Sequence, residues 1–76
     1  MPRHINIIAR EIVQDWNPVH IAAAPYLQAM LRLETIDDHY GCDSGKLIIN
    51  YFLANAATWR GETARKIKQE LKELVK

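Results

Sequence analysis

Ile5, Ile8, Ala9, Ile12, Val13 and Trp16 recur at spacings of three and four residues. That period lays one continuous apolar stripe along an α-helix. It predicts a helix over about 3–16, with Asn6, Arg10, Glu11 and Gln14 elsewhere on the wheel. Asn17-Pro18 ends it, because a residue before proline is pushed out of helical geometry.

Three further helical segments follow. Val19-His20-Ile21 reads as a linker with its apolar side chains turned inward. Pro25 suits the first turn of a second helix, where a missing N–H costs nothing, and the segment spans about 22–34. Asp37, Asp38, Gly41, Asp43, Ser44 and Gly45 then crowd together as a turn does, with Asp43 or Ser44 placed to cap the next helix. The third segment, about 45–57, is apolar nearly all round, which predicts a helix buried on several sides and serving as the hub. A strand over Leu47 to Leu53 is disfavoured by the length and alanine-rich end of the run. The last segment, about 58–75, is predicted to start from a Thr58 cap, Gly61 being the other candidate breakpoint. It carries a seam of Ala64, Ile67, Leu71 and Leu74, and Glu62, Lys66 and Glu70 at i,i+4 spacing. The expected fold is all-α: a single domain, residues 1–76, of three to four helices around a central apolar one.

A chain of 76 residues buries too little surface to be more than marginally stable without help. Cys42 is the lone cysteine, so no internal disulfide supplies that help. His4, His20, His39 and Cys42 share no paired zinc-ligand spacing. Tight packing or self-association is left, and 49% apolar residues leave a surplus for either. A free cysteine, no apolar secretion signal at the start and no run of about 20 apolar residues predict a cytoplasmic protein with no membrane span.

The turn holds carboxylates, an imidazole and a thiol, yet the calcium-loop pattern fails. Counting twelve positions from Asp37 or Asp38 reaches Ile48 or Ile49 where a glutamate is needed. Cys42 precedes a helix N-terminus, but no base and orienting partner can be named for it. No catalytic constellation is recognised, and the chain is expected to be neither an enzyme nor a cofactor binder. Charge is more informative. Residues 1–59 carry a net −2 and residues 60–76 a net +3. Arg60, Arg65, Lys68 and Lys72 are therefore candidate nucleic-acid contacts, with Lys66 and Lys76 nearby and Trp59 as the one aromatic placed to stack on a base. A solvated helix with a cation-rich last turn explains the same charges. Six aromatics are many for so small a core, and Trp59, Tyr26, Tyr40 and Tyr51 are candidate interface residues.

Ala24-Pro25-Tyr26-Leu27-Gln28-Ala29-Met30, Asp38-His39-Tyr40-Gly41-Cys42-Asp43-Ser44-Gly45, Tyr51-Phe52-Leu53-Ala54-Asn55-Ala56, Thr58-Trp59-Arg60-Gly61 and Ala64-Arg65-Lys66-Ile67-Lys68 together resemble a family of short bacterial and phage proteins. The resemblance spans nearly the whole chain. It implies a stand-alone cytoplasmic protein and carries over no activity, cofactor or catalytic residue. It directs attention to Pro25-Tyr26, Tyr40-Gly41 and Trp59-Arg60-Gly61. Of these, Arg60 has the least structural explanation: it either pairs with Asp37, Asp38 or Asp43 or faces a ligand. The leading expectation is a self-associating helical interaction module, with homo-oligomer or other protein as partner. The alternative is a small nucleic-acid-binding protein using the basic C-terminal helix.

Overall fold

The computed structural model describes residues 3–76, so whatever in the sequence reading rests on Met1 and Pro2 lies outside the described residues. They form α1 (Ile5–Asp15), α2 (Ala24–Met30), β1 (His39–Tyr40), β2 (Asp43–Ser44), α3 (Gly45–Ala54) and α4 (Glu62–Leu74). The chain is mainly helical, as the periodicities predict. The two short strands make it not purely α, and every helix is shorter than its predicted segment.

The stripe of α1 buries Ile5, Ile8, Ala9 and Ile12. Val13, assigned to the same stripe, is 40% exposed at its margin. No side chain caps this helix. Instead the N–H groups of Ile5 and Asn6 donate to the carbonyls of Glu34 and Leu33, both at 2.9 Å. This contact explains why α2 ends at Met30 and not near residue 34. The chain leaves the helix there, buries Leu33 completely and turns two carbonyls toward the start of α1.

The linker before α2 only half follows expectation. Val19 packs on the core, whereas Ile21 is 85% exposed and points outward. The His20 ring folds back locally, its Nδ1 accepting the Ala22 N–H at 3.0 Å. Pro25 takes its expected place in the first turn of α2.

The predicted turn contains an antiparallel ribbon pairing His39 with Ser44 and Tyr40 with Asp43. Gly41 lies at φ 66° and Cys42 has no positive φ, the pattern of a type II′ hairpin turn. The Asp38 carboxylate anchors the approach, accepting the Glu34 and Thr35 N–H groups at 2.9 and 3.1 Å. Strands of two residues offer no alternation from which a sequence could reveal them. Ser44 then caps α3, its hydroxyl accepting the Leu47 N–H at 3.2 Å.

Helix α3 packs on α2, α4 and the ribbon strand β2, more elements than any other helix meets in the principal contacts, but it is not buried on several sides. The principal contacts run around a ring, α1 to α2, α2 to α3, α3 to α4 and α4 back to α1. With two helical neighbours and the ribbon at its start, α3 buries only one side: Gly45, Ile48, Ile49 and Phe52. It stops at Ala54, where the Asn55 side-chain amide donates to the Tyr51 carbonyl at 2.9 Å. Thr58 does not cap α4. That helix starts at Glu62 behind Gly61, whose φ of 118° and ψ of 178° are accessible essentially to glycine alone. Trp59 forces the delay. It is 2% exposed, stacks on Trp16 at 5.7 Å and meets the edge of Phe52 at 6.4 Å, so the chain must reach the core before it can wind into α4. The predicted seam of α4 closes the ring, with Ala64, Ile67 and Leu71 buried and Leu74 partly so. Among the described residues no helix is long and apolar enough to cross a membrane.

Candidate functional site

The candidate residues fall on two separate surfaces and in the core. Trp59 belongs to the core, which corrects its assignment to an interface and withdraws it as a base-stacking ring. Its indole N–H donates to Asp15 Oδ2 at 2.8 Å, so its one polar atom is satisfied internally.

The first surface is the outer side of α2 and α3. At 100° per residue, Leu47, Asn50, Tyr51 and Ala54 lie opposite the buried face of α3. Leu47 is 38% and Tyr51 44% exposed, large apolar groups that two helical neighbours leave uncovered. Tyr26 reaches across from α2 and packs on Tyr51, ring centroids 5.3 Å apart at 36°. Beyond Ala54 the strip runs into a recess of about 200 Å³ lined by His20, Ala22, Ala54, Asn55, Ala57 and Thr58. Ile21 projects from the chain between two of those lining residues. Tyr40, on the ribbon just before α3, is 45% exposed.

The second surface is the basic side of α4. Each carboxylate of that helix already has a cation: Glu62 with Lys66 at 3.5 Å, Glu70 with Arg3 at 2.7 Å and Glu73 with Lys76 at 3.7 Å. Glu70 thus leaves the i,i+4 series expected with Lys66. Arg60 is exposed and pairs with none of Asp37, Asp38 and Asp43. Among the described residues Arg60, Arg65, Lys68 and Lys72 have no carboxylate partner. Lys68 is also fixed in place. Its ammonium donates to the Trp59 carbonyl at 2.6 Å and lies 5.9 Å from the indole centroid. Partial burial, then the nearby charges of Lys72 and Arg60, pull its pKa below the usual lysine range.

Two further recesses lie elsewhere. One of about 440 Å³ is bounded by Arg3, His4, Glu34, Thr35, Ile36, Glu73 and Leu74. The Arg3 guanidinium beside it makes four hydrogen bonds to carboxylates. It forks onto Glu70 at 2.9 and 2.7 Å and onto Glu11 at 2.7 and 2.6 Å, which raises its pKa further above the ordinary arginine value. The other, of about 260 Å³, is bounded by Glu11, Gln14, Asp15 and Thr63. Among the described residues no three His, Cys, Asp or Glu side chains converge as metal ligands would. Cys42 is exposed at the ribbon turn.

The sequence pointed to both surfaces but not to Ile21 or the alanine-lined recess. Their only signal was composition, since a lone isoleucine beside histidine and alanine reads equally well as inward-facing. Comparison with known protein families, curated proteins and solved structures gives no match for this chain.

Proposed function

We propose that this protein is a helical interaction module that pairs with a second copy of itself through the outer side of α2 and α3. The observation that carries the reading is the pair Leu47 and Tyr51, turned to solvent from the most apolar helix of the chain. Tyr26 braces Tyr51, so the aromatic surface is already ordered and loses little freedom on binding. Full burial of an exposed side chain such as Ile21, 85% exposed, is worth roughly 1.5–3 kcal/mol, and Leu47, 38% exposed, adds a fraction of that. A small domain gains most from such a partner, because its own core is limited. A two-fold pairing would bring the same strip together from both copies. The role is one of binding and assembly, not of enzymatic turnover. An exposed free thiol at Cys42 favours a reducing, cytoplasmic setting, in keeping with the resemblance to short bacterial and phage proteins.

Sedimentation or light scattering at micromolar concentration tests the reading. The expected mass is twice that of the 8.8 kDa chain. The double variant Leu47→Ser, Tyr51→Ser should run as a folded monomer, and Ile21→Ser should weaken pairing. A wild-type chain that stays monomeric at every concentration up to the millimolar range overturns it.

A further inference from the structure

The basic side of α4 carries an uncompensated charge cluster that the pairing surface does not use. Arg65, Lys68 and Lys72 follow one another along a single edge of the helix, about 10 Å from first to last at 1.5 Å per residue. Arg60 joins them because the Lys68 ammonium is bonded to the carbonyl of the adjacent residue, Trp59. Like charges are thereby held together while each acidic residue of the helix is engaged elsewhere. Their mutual repulsion is felt at Lys68 and is relieved by an anion laid along the edge.

We infer that Arg60, Arg65, Lys68 and Lys72 form a binding edge for the phosphate backbone of a nucleic-acid duplex, without base readout. Charge complementarity selects a polyanion, since the cations form a row and not a closed pocket. A row of about 10 Å matches roughly three nucleotide steps of one strand at 3.4 Å each. Single strands are bound on aromatic stacking platforms, and burial of Trp59 removes the one aromatic available on this side. A membrane surface is disfavoured by the same helix. Surface-lying helices insert an exposed apolar face, and none of the exposed large apolar side chains lies on α4. Contacts confined to phosphates position a protein on a duplex but carry no sequence information.

The test is fluorescence anisotropy with a mixed-sequence DNA duplex, the matching single strand and vesicles rich in anionic lipid, at about 50 mM and about 200 mM salt. Duplex binding is expected, indifferent to sequence and weakening roughly 40- to 150-fold over that range, as three to four phosphate contacts require. The variant Arg60→Glu, Arg65→Glu, Lys72→Glu should lose it while keeping the wild-type circular dichroism. Lys68 is left unchanged there because its ammonium also holds the Trp59 carbonyl. Arg10→Glu with Arg32→Glu, exposed cations on α1 and after α2, should change affinity less than about threefold. No duplex binding at the lower salt overturns the inference. So does wild-type affinity in the triple variant, a single strand bound more tightly than the duplex, or vesicle binding without duplex binding. The pairing proposal is tested independently, since neither Leu47 nor Tyr51 takes part here.

Discussion

The indole nitrogen of Trp59 donates to Asp15 across 2.8 Å, fastening the loop between α3 and α4 to the last residue of α1. It is the polar member of an otherwise apolar cluster, in which the Trp59 ring stacks on Trp16 at 5.7 Å and 11°. Replacing Asp15 by alanine removes the internal partner of that N–H, which should cost about 0.5–1.5 kcal/mol because Asp15 is exposed and water can take its place. Trp59→Ala removes the ring as well and should cost about 3–5 kcal/mol. Urea denaturation of both variants checks the order, and an Asp15→Ala midpoint equal to wild type would show the bond to be idle.

Arg3 holds α1 against α4 through two carboxylates at once, Glu11 and Glu70. Lysine cannot reproduce the fork, so Arg3→Lys should lose about 1 kcal/mol, a modest figure because all three side chains are partly solvated. The loss should shrink in about 1 M salt. The folded-state pKa of Arg3 is raised, so its contribution is complete below the unfolded value and disappears only as pH climbs through the folded one. Both lie beyond the alkaline end of ordinary titrations. The difference between wild type and Arg3→Lys should therefore show no Arg3-linked decline from about pH 6 to about pH 9. A steady fall across that window would contradict the assignment.

Asp38 should make the fold acid-sensitive. Two backbone N–H groups, of Glu34 and then Thr35, stabilise its carboxylate and hold its pKa below the ordinary aspartate value of 3.8. A depressed carboxyl contributes stability above its unfolded pKa and loses it as pH falls through the folded one. The loss therefore begins as pH drops toward 3.8 and deepens below it. Asp38→Asn should flatten this part of the stability profile. Urea midpoints measured at falling pH provide the check, and parallel wild-type and variant curves would rule out the linkage.

Gly61 sets the start of α4. Alanine at φ 118° and ψ 178° is strained by about 1–3 kcal/mol, although open space surrounds the site where a Cβ would stand. Gly61→Ala should lower the thermal midpoint by roughly 4–8 °C per kcal/mol lost. An unchanged midpoint would mean that the backbone relaxes without cost.

Much of this fold was legible because helices announce themselves by period. The stripes of α1 and α4, Pro25 at the start of α2 and the serine cap of α3 all appear where spacing and capping chemistry put them. The errors share a cause: each is a long-range choice that local pattern cannot encode. Leu33 and Glu34 continue a helical pattern, yet their carbonyls are needed at α1. Trp59 sits next to a good capping residue, yet its ring is needed between Trp16 and Phe52. Helix α3 is apolar nearly all round, but how much of its circumference is covered is a property of the ring of helices. Of the candidate residues, Tyr26 and Tyr51 were named separately, and only folding brings their rings within 5.3 Å.

The carbonyls that Leu33 and Glu34 lend to α1 have a dynamic consequence. The amides of Ile5 and Asn6 are the first in their helix and have no acceptor within it, so their protection depends on a segment almost thirty residues away. Helix α1 therefore cannot fray at this end without undocking that segment, nor can the segment swing free while the helix start keeps its partners. The two open as one cooperative unit. In hydrogen exchange, Ile5 and Asn6 should behave as core amides and not as terminal ones, with exchange rates that follow those of Ile49 and Phe52.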